Sequence, residues 1–288
     1  MRDFDYLSPT HLDEVCRLLQ THGDNARLIA GGTALILALR QRLVMPEALI
    51  SLAQVDGLRD IAVEGGHLRI GACATHTQVA TSTTVQQHAP ALALLASKLA
   101  NPQVRHQGTL GGNLAYADPT TDPPGCLLAM NAQVVLHGLQ GQRTLAMDNF
   151  LTDYFETALR PDEMLARIDV PLASAQGRTT YLRHLRTLAD HRPMANVSVH
   201  SDTTAVGPVF RVVVAAATPM PWAVPYASDW IGTAPTAARI ADFAATVAAD
   251  MDPLTDNRCD SDYRRDVVRV LVSRALHRHF DLAPGRAA

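Results

Sequence analysis

Lysine is nearly absent from this 288-residue chain: Lys98 is the only one, and arginine carries almost all of the positive charge. Schiff-base chemistry therefore has one candidate, in an alanine- and leucine-rich stretch that reads as a solvated helix face. No lysine follows a glycine cluster, which excludes a Walker-type phosphate loop. Aromatic residues make up only 5% of the chain. Basic excess is lacking too: 25 Lys plus Arg against 28 Asp plus Glu give a net charge of −3, which argues against a nucleic-acid partner. Cys16, Cys73, Cys126 and Cys259 lie far apart, with no CxxC pair, so a zinc ribbon or a local iron–sulfur motif is excluded. Four reduced thiols in a cytoplasmic protein are the simplest reading. No apolar run is long enough to span a membrane, and no leader-like segment opens the chain.

What is present is a well-mixed globular composition, 47% hydrophobic and 18% charged. At about 100–200 residues per domain, the length predicts two domains. Ser8-Pro9 reads as a helix start, followed by Leu12, Val15, Leu18 and Leu19 at helical spacing. A short apolar strand at 27–30 runs into Gly31-Gly32-Thr33 and a helix that Pro46 stops. Residues 48–52 read as a strand, and 61–71 as a hairpin turning at Gly65-Gly66. One long helical stretch is expected over about 76–100, then a loop-rich stretch over 101–124. A second hairpin turns between Gly138 and Gly141, and residues 165–170 form a strand. Segment 173–177 is small and polar, a plausible domain boundary. Strands at 179–186, 196–201 and 210–217, then helices at 235–250 and 261–280, predict a second α+β domain.

Two glycine clusters carry the chemistry. In Ala30-Gly31-Gly32-Thr33-Ala34, between strand and helix, glycines let backbone N–H groups approach a ligand, and the helix start adds partial positive charge. The GxGxxG spacing of the ordinary dinucleotide turn is absent. A tight turn that needs glycine is the alternative reading. The second cluster, Gly108-Thr109-Leu110-Gly111-Gly112-Asn113, adds short polar side chains, and Asp122 follows nine residues after Asn113. Two such loops suit a pyrophosphate clamped by neutral donors. A rigid surface loop remains the alternative. Valine at Gly111 or Gly112 is expected to block close backbone approach.

These clusters, with "VRHQGTLGGNLAYADPTTDPP" at 104–124, resemble the FAD-binding middle subunit of molybdenum hydroxylases, the xanthine dehydrogenase and carbon monoxide dehydrogenase superfamily. Residues 162–165 leading to Pro171, and "PLTDNRCDSDYRRDVVRVLVSRAL" at 253–276, extend the resemblance over essentially the whole chain. It implies an α+β fold: a vanillyl-alcohol-oxidase-type (PCMH-type) FAD domain at 1–175, with subdomains at about 1–55 and 56–175. A smaller C-terminal α+β domain would occupy 176–288. By this resemblance Ala30, Gly31, Gly32, Thr33 and Ala34 would hold the pyrophosphate from one side. Thr109, Gly111, Gly112 and Asn113 would hold it from the other. Tyr116 would contact the cofactor, Asp122 its adenosine ribose, and Leu165 would add apolar and backbone contacts. Leu99 would lie beside the isoalloxazine ring. Arg183 would sit where xanthine-oxidising relatives carry lysine, able to stabilise charge on the reduced flavin.

The resemblance also implies partners: a large molybdopterin-binding subunit with the molybdenum cofactor, and a small [2Fe–2S] subunit, assembled as a dimer of heterotrimers. Electrons would pass through FAD to an external acceptor that the sequence leaves open, as it does the substrate. Ala34, Cys259 and Asp260 depart from the family pattern, and "ADHRPMANVSV" at 189–199 matches it loosely. A self-contained flavin oxidoreductase on the same fold, or a scaffold that has lost FAD, are the rival readings. Of the remaining histidines, His106 lies in the loop-rich stretch at 101–124 that holds the second cluster, within reach of a cofactor or partner. His184 and His191 read as surface or structural residues. His277 and His279 fall on different faces of the last helix, so a shared metal is not expected. Trp222 and Trp230 read as packing residues.

Overall fold

The computed structural model describes residues 3–172, 177–187, 190–204, 207–230 and 235–282. The proposed boundary at 173–177 falls almost wholly outside the described residues. Three sheets form the frame. The first is parallel, with Ala48–Ser51 between Asp5–Leu7 and Ala26–Ile29. Its central strand is buried at every position, as expected for a parallel strand covered on both faces. Helix Leu12–His22 buries Val15, Cys16 and Leu19. It starts from His11 with no side-chain cap, so the Ser8-Pro9 signal lies one turn too early.

The second sheet is antiparallel, in the order Ile61–Glu64, His67–Gly71, Met164–Pro171, Gln133–Gly138, Gly141–Ala146. Both predicted hairpins are in it. At the first, Gly65 and Gly66 have φ of 59° and 76°, the pair of positive angles that a two-residue hairpin turn requires. The long helix expected over 76–100 is instead three: His76–Thr81, Thr83–His88 and Pro90–Lys98. Ser82 ends one and caps the next, accepting from the Val85 amide, and Pro90 starts the third. The stretch read as loop also holds helices, Pro102–Gln107 and Leu110–Tyr116, with Pro123–Ala129 just beyond.

The third sheet pairs Arg178–His184, Ala195–Thr204, Gly207–Ala215 and Trp222–Ala223 in sequence order, all antiparallel. Helices Ala237–Asp250 and Ser261–His279 pack together, and the second lies on this sheet. Trp230 is buried among Phe210, Phe243 and Phe280 in the core beneath them. All four cysteines are free. Among the described residues no helix is long and apolar enough to cross a membrane.

One ion cluster ties the last helix to the third sheet. Arg264 is fully buried and donates to the Met194 and Ala216 carbonyls and to Asp256. Arg258 also donates to Asp256. Burial works to raise the Asp256 carboxyl, but the bonds from Arg258 and the charge of Arg264 outweigh it and bring it down to about 2. Its contribution to stability is therefore complete above the unfolded-state value of about 4 and is lost as pH falls through about 2. Replacing Arg264 by leucine strands two buried carbonyls and removes one donor from Asp256; we expect a loss of about 3–5 kcal/mol in denaturant unfolding.

Candidate active site

A cavity of about 590 Å³ lies where the first and second sheets meet the edge of the third. Every residue the sequence reading selected lines it, except Arg183. The first glycine segment forms one wall. Gly31 packs so tightly against the second segment that a Cβ would overlap the Gln107 carbonyl. Gly32 has φ +67°, a conformation that favours glycine. The amides of Gly31, Gly32, Thr33 and Ala34 meet no protein acceptor among the described residues. A row of unpaired N–H groups at a helix start suits an anionic group.

The second segment is built differently. Thr109 caps helix Leu110–Tyr116, its Oγ1 accepting from the Gly112 amide at 3.1 Å. The Leu110 and Gly111 amides donate to Ala74 and Ala72, and the Asn113 amide to Thr109. All four backbone donors are thus spent within the protein. A Cβ on Gly111 would lie 2.5 Å from the Ala72 Cβ, so the packing here requires glycine. The second segment thus differs from the first in having no free backbone donors at 110–113 among the described residues. What the second segment offers is the exposed Gly112 surface, the Thr109 hydroxyl proton and the Asn113 amide, which is bonded to the Thr121 hydroxyl at 2.8 Å.

The apolar wall comes from Leu99, Leu159 and Leu165, with Ile29 and Leu35 from the first sheet and its following helix. Leu165 is buried at an irregularity in strand pairing. Tyr116 stands at the rim, 38% exposed and edge-on to Phe155 at 5.4 Å. His191, Arg192 and Pro193 of the third-sheet domain also line the cavity. Arg192 pairs with Asp118 at 3.1 Å, while Asp118 also accepts from Thr120. The sequence reading passed over this segment because its match to the family pattern was loose. It also missed His76, although the Thr75-x-x-Gln78 capping box that opens its helix is visible in the sequence.

Asp122 and Arg183 are bonded to each other and to further protein groups. The Asp122 side chain is 0% exposed and its oxygens already accept from Tyr181 at 2.5 Å, Asn196 at 3.3 Å and Arg183 at 3.1 Å. Burial pushes its carboxyl up, against the pull of these donors. The carboxylate expected to bind the adenosine ribose is thus already bonded to three protein donors. Arg183 also donates to the Lys98 carbonyl at 2.6 Å, so its charge faces Asp122 and not the cavity. The group is a buried polar hub joining helix Pro123–Ala129 to the third sheet. A second cavity of about 420 Å³ adjoins the first through Ala30, Gly31 and Thr109, and Arg59 and the exposed His106 line it. For Asp122→Ala we expect about 3–5 kcal/mol lost in denaturant unfolding of the ligand-free chain. A ribose ligand would instead lose affinity with stability unchanged.

The comparisons with known proteins agree with this architecture. Residues 2–173 match the family described as FAD binding domain in molybdopterin dehydrogenase. Residues 195–279 match the CO dehydrogenase flavoprotein C-terminal domain. The chain is 32% identical over 277 residues to the carbon monoxide dehydrogenase medium chain of Hydrogenophaga pseudoflava, covering 95% of this chain and 96% of that one. It is 31% identical over 274 residues to the nicotine 6-hydroxylase medium subunit of Paenarthrobacter nicotinovorans, covering 94% and 95%. Carbon monoxide dehydrogenase from Hydrogenophaga pseudoflava superimposes with a TM-score of 0.91 at 31% identity, over 97% of this chain and 98% of that one. Quinoline 2-oxidoreductase from Pseudomonas putida 86 gives 0.90 at 26% identity, with the same coverage. The chain belongs to the FAD-binding medium subunits of the molybdenum hydroxylase family.

Proposed function

We propose that this chain holds FAD across the larger cavity and carries electrons for a molybdenum-containing hydroxylase. The observation that carries the reading is the row of unpaired amides at Gly31–Ala34, opening onto a cavity with an apolar far wall. A diphosphate needs donors, and this segment supplies them without a cation. A flavin ring needs a dry, apolar slot, and Leu99, Leu159 and Leu165 provide one. The residues present therefore fit the group. When bound, FAD supplies a ring that takes electrons singly and releases them in pairs.

The chain's own work is to bind, orient and seal. Amides of the first segment take the diphosphate; Gly112 leaves room beside it; Thr109 and Asn113 add neutral polar contacts. Tyr116 covers the rim. Arg183 acts through Asp122, tying the third sheet to the FAD-binding part. In this reading the division falls at about residue 175: 1–175 binds FAD, split near 55, and 176–288 closes one side. The partners are a large molybdopterin-binding subunit and a small [2Fe–2S] subunit, in a dimer of heterotrimers. An external acceptor takes the electrons. The assignment draws on relatives whose names describe dehydrogenase and hydroxylase medium subunits.

The test is the cofactor itself. The purified chain should show a flavin spectrum and release about one FAD per chain on denaturation. A chain that stays colourless after FAD is added, and after co-expression with its partners, contradicts the reading. In Gly112→Val, a side chain on the cavity wall would begin 2.7 Å from the Thr109 hydroxyl, so FAD should be lost while the fold persists.

A further inference from the structure

We propose that His76 is a direct hydrogen-bonding contact of the bound cofactor, placed where the two glycine segments meet. The inference rests on the FAD reading above. His76 opens helix His76–Thr81 and is held by backbone on both sides. Its amide donates to the Gly108 carbonyl at 3.0 Å, and Thr75 forms a β-bridge to Thr109. The Thr75–Gln78 capping box fixes the helix start. The imidazole is therefore locked to the second segment.

The ring and the first segment both flank Gly108. A Cβ built on Gly108 would lie 3.2 Å from His76 Cδ2 and 3.3 Å from Thr33 Oγ1, so the ring, the Gly108 Cα and the Thr33 hydroxyl converge. This junction is part of the cavity wall. His76 is only 4% exposed, yet neither ring nitrogen has a hydrogen-bond partner among the described residues, and Nδ1 is sealed from solvent. His76 lines the cavity, and Nε2, which is not among the sealed atoms, is the ring nitrogen that a ligand there can reach. Asp122, equally buried, differs in having all its donors.

Burial, with the Arg105 guanidinium as a second cause, lowers the His76 pKa to about 4. The ring is neutral near pH 7 and carries one N–H. With Nδ1 sealed, that N–H donates through Nε2. A diphosphate oxygen at the junction of the two segments is the acceptor the geometry favours. His76 would then be one more neutral donor in a site that has no lysine to offer.

The test is titration of the ligand-free full chain with FAD, read by flavin fluorescence quenching, together with thermal melts of the ligand-free proteins. Wild type, His76→Leu and His76→Gln are compared. His76→Leu should bind about tenfold more weakly while melting at or above the wild-type temperature, because the orphaned nitrogen is gone. His76→Gln, whose amide reaches the Nε2 position, should stay within about threefold of wild type. Equal affinity in all three overturns the proposal. So does a fall in melting temperature that accompanies weaker binding in both variants, which marks a structural residue. A wild-type chain that takes up no FAD refutes the reading of the previous subsection, and this one with it.

Discussion

Gly31 has no room for a side chain, because its Cα rests against the Gln107 carbonyl. That single backbone-to-backbone contact joins the end of the first sheet to the helices that follow the second. It turns two glycine segments, distant in sequence, into one continuous wall. The neighbouring contacts reinforce it: Gly108 is pressed by the Val104 carbonyl at 2.8 Å, and Gly111 by Ala72. Each would be opened by one methyl group, so the cavity floor depends on the absence of Cβ atoms more than on any attractive pair.

The way backbone donors are satisfied then separates the two segments. Helix Leu110–Tyr116 has its first amides taken by Ala72, Ala74 and the Thr109 side chain, which makes it rigid and chemically quiet. The four amides from Gly31 to Ala34 are left for a ligand. A ligand with anionic acceptors would give these amides charge-assisted hydrogen bonds that the chain alone does not make. Behind this wall, the Asp122 hub with Tyr181, Arg183 and Asn196 is complete on its own, and Gly125 lets helix Pro123–Ala129 come close to Ala215 of the third sheet. The C-terminal domain is thus fixed to the site by polar groups that bond to one another within the protein.

Much of this was legible in the sequence, for local reasons. Gly65-Gly66 and Gly138 with Gly141 mark hairpins because the turns need them, and the apolar periodicity of 235–250 and 261–280 matches helices Ala237–Asp250 and Ser261–His279. The glycine clusters identified the cavity because close approach leaves a compositional trace. What was not legible depends on tertiary burial. Asp122 looks like a ligand carboxylate until Tyr181, fifty-nine residues away, is seen to occupy it. Arg183 looks like a free cation until the same hub claims it. Glycines at 31, 111 and 112 look alike in sequence, yet a Cβ would meet the Gln107 carbonyl at the first, Ala72 at the second and the Thr109 hydroxyl at the third. His76 carried no signal, since its meaning lies in partners it does not have.

The central claim is that the first segment supplies the backbone donors and the second supplies shape. Amide hydrogen exchange, measured residue by residue with and without FAD, tests it most directly. Amides of Gly31, Gly32, Thr33 and Ala34 should exchange quickly in the ligand-free chain and slow strongly with FAD bound. Those of Leu110, Gly111, Gly112 and Asn113, already bonded, should change little by comparison. The reverse pattern, with protection gained at 110–113 and none at 31–34, would contradict the account.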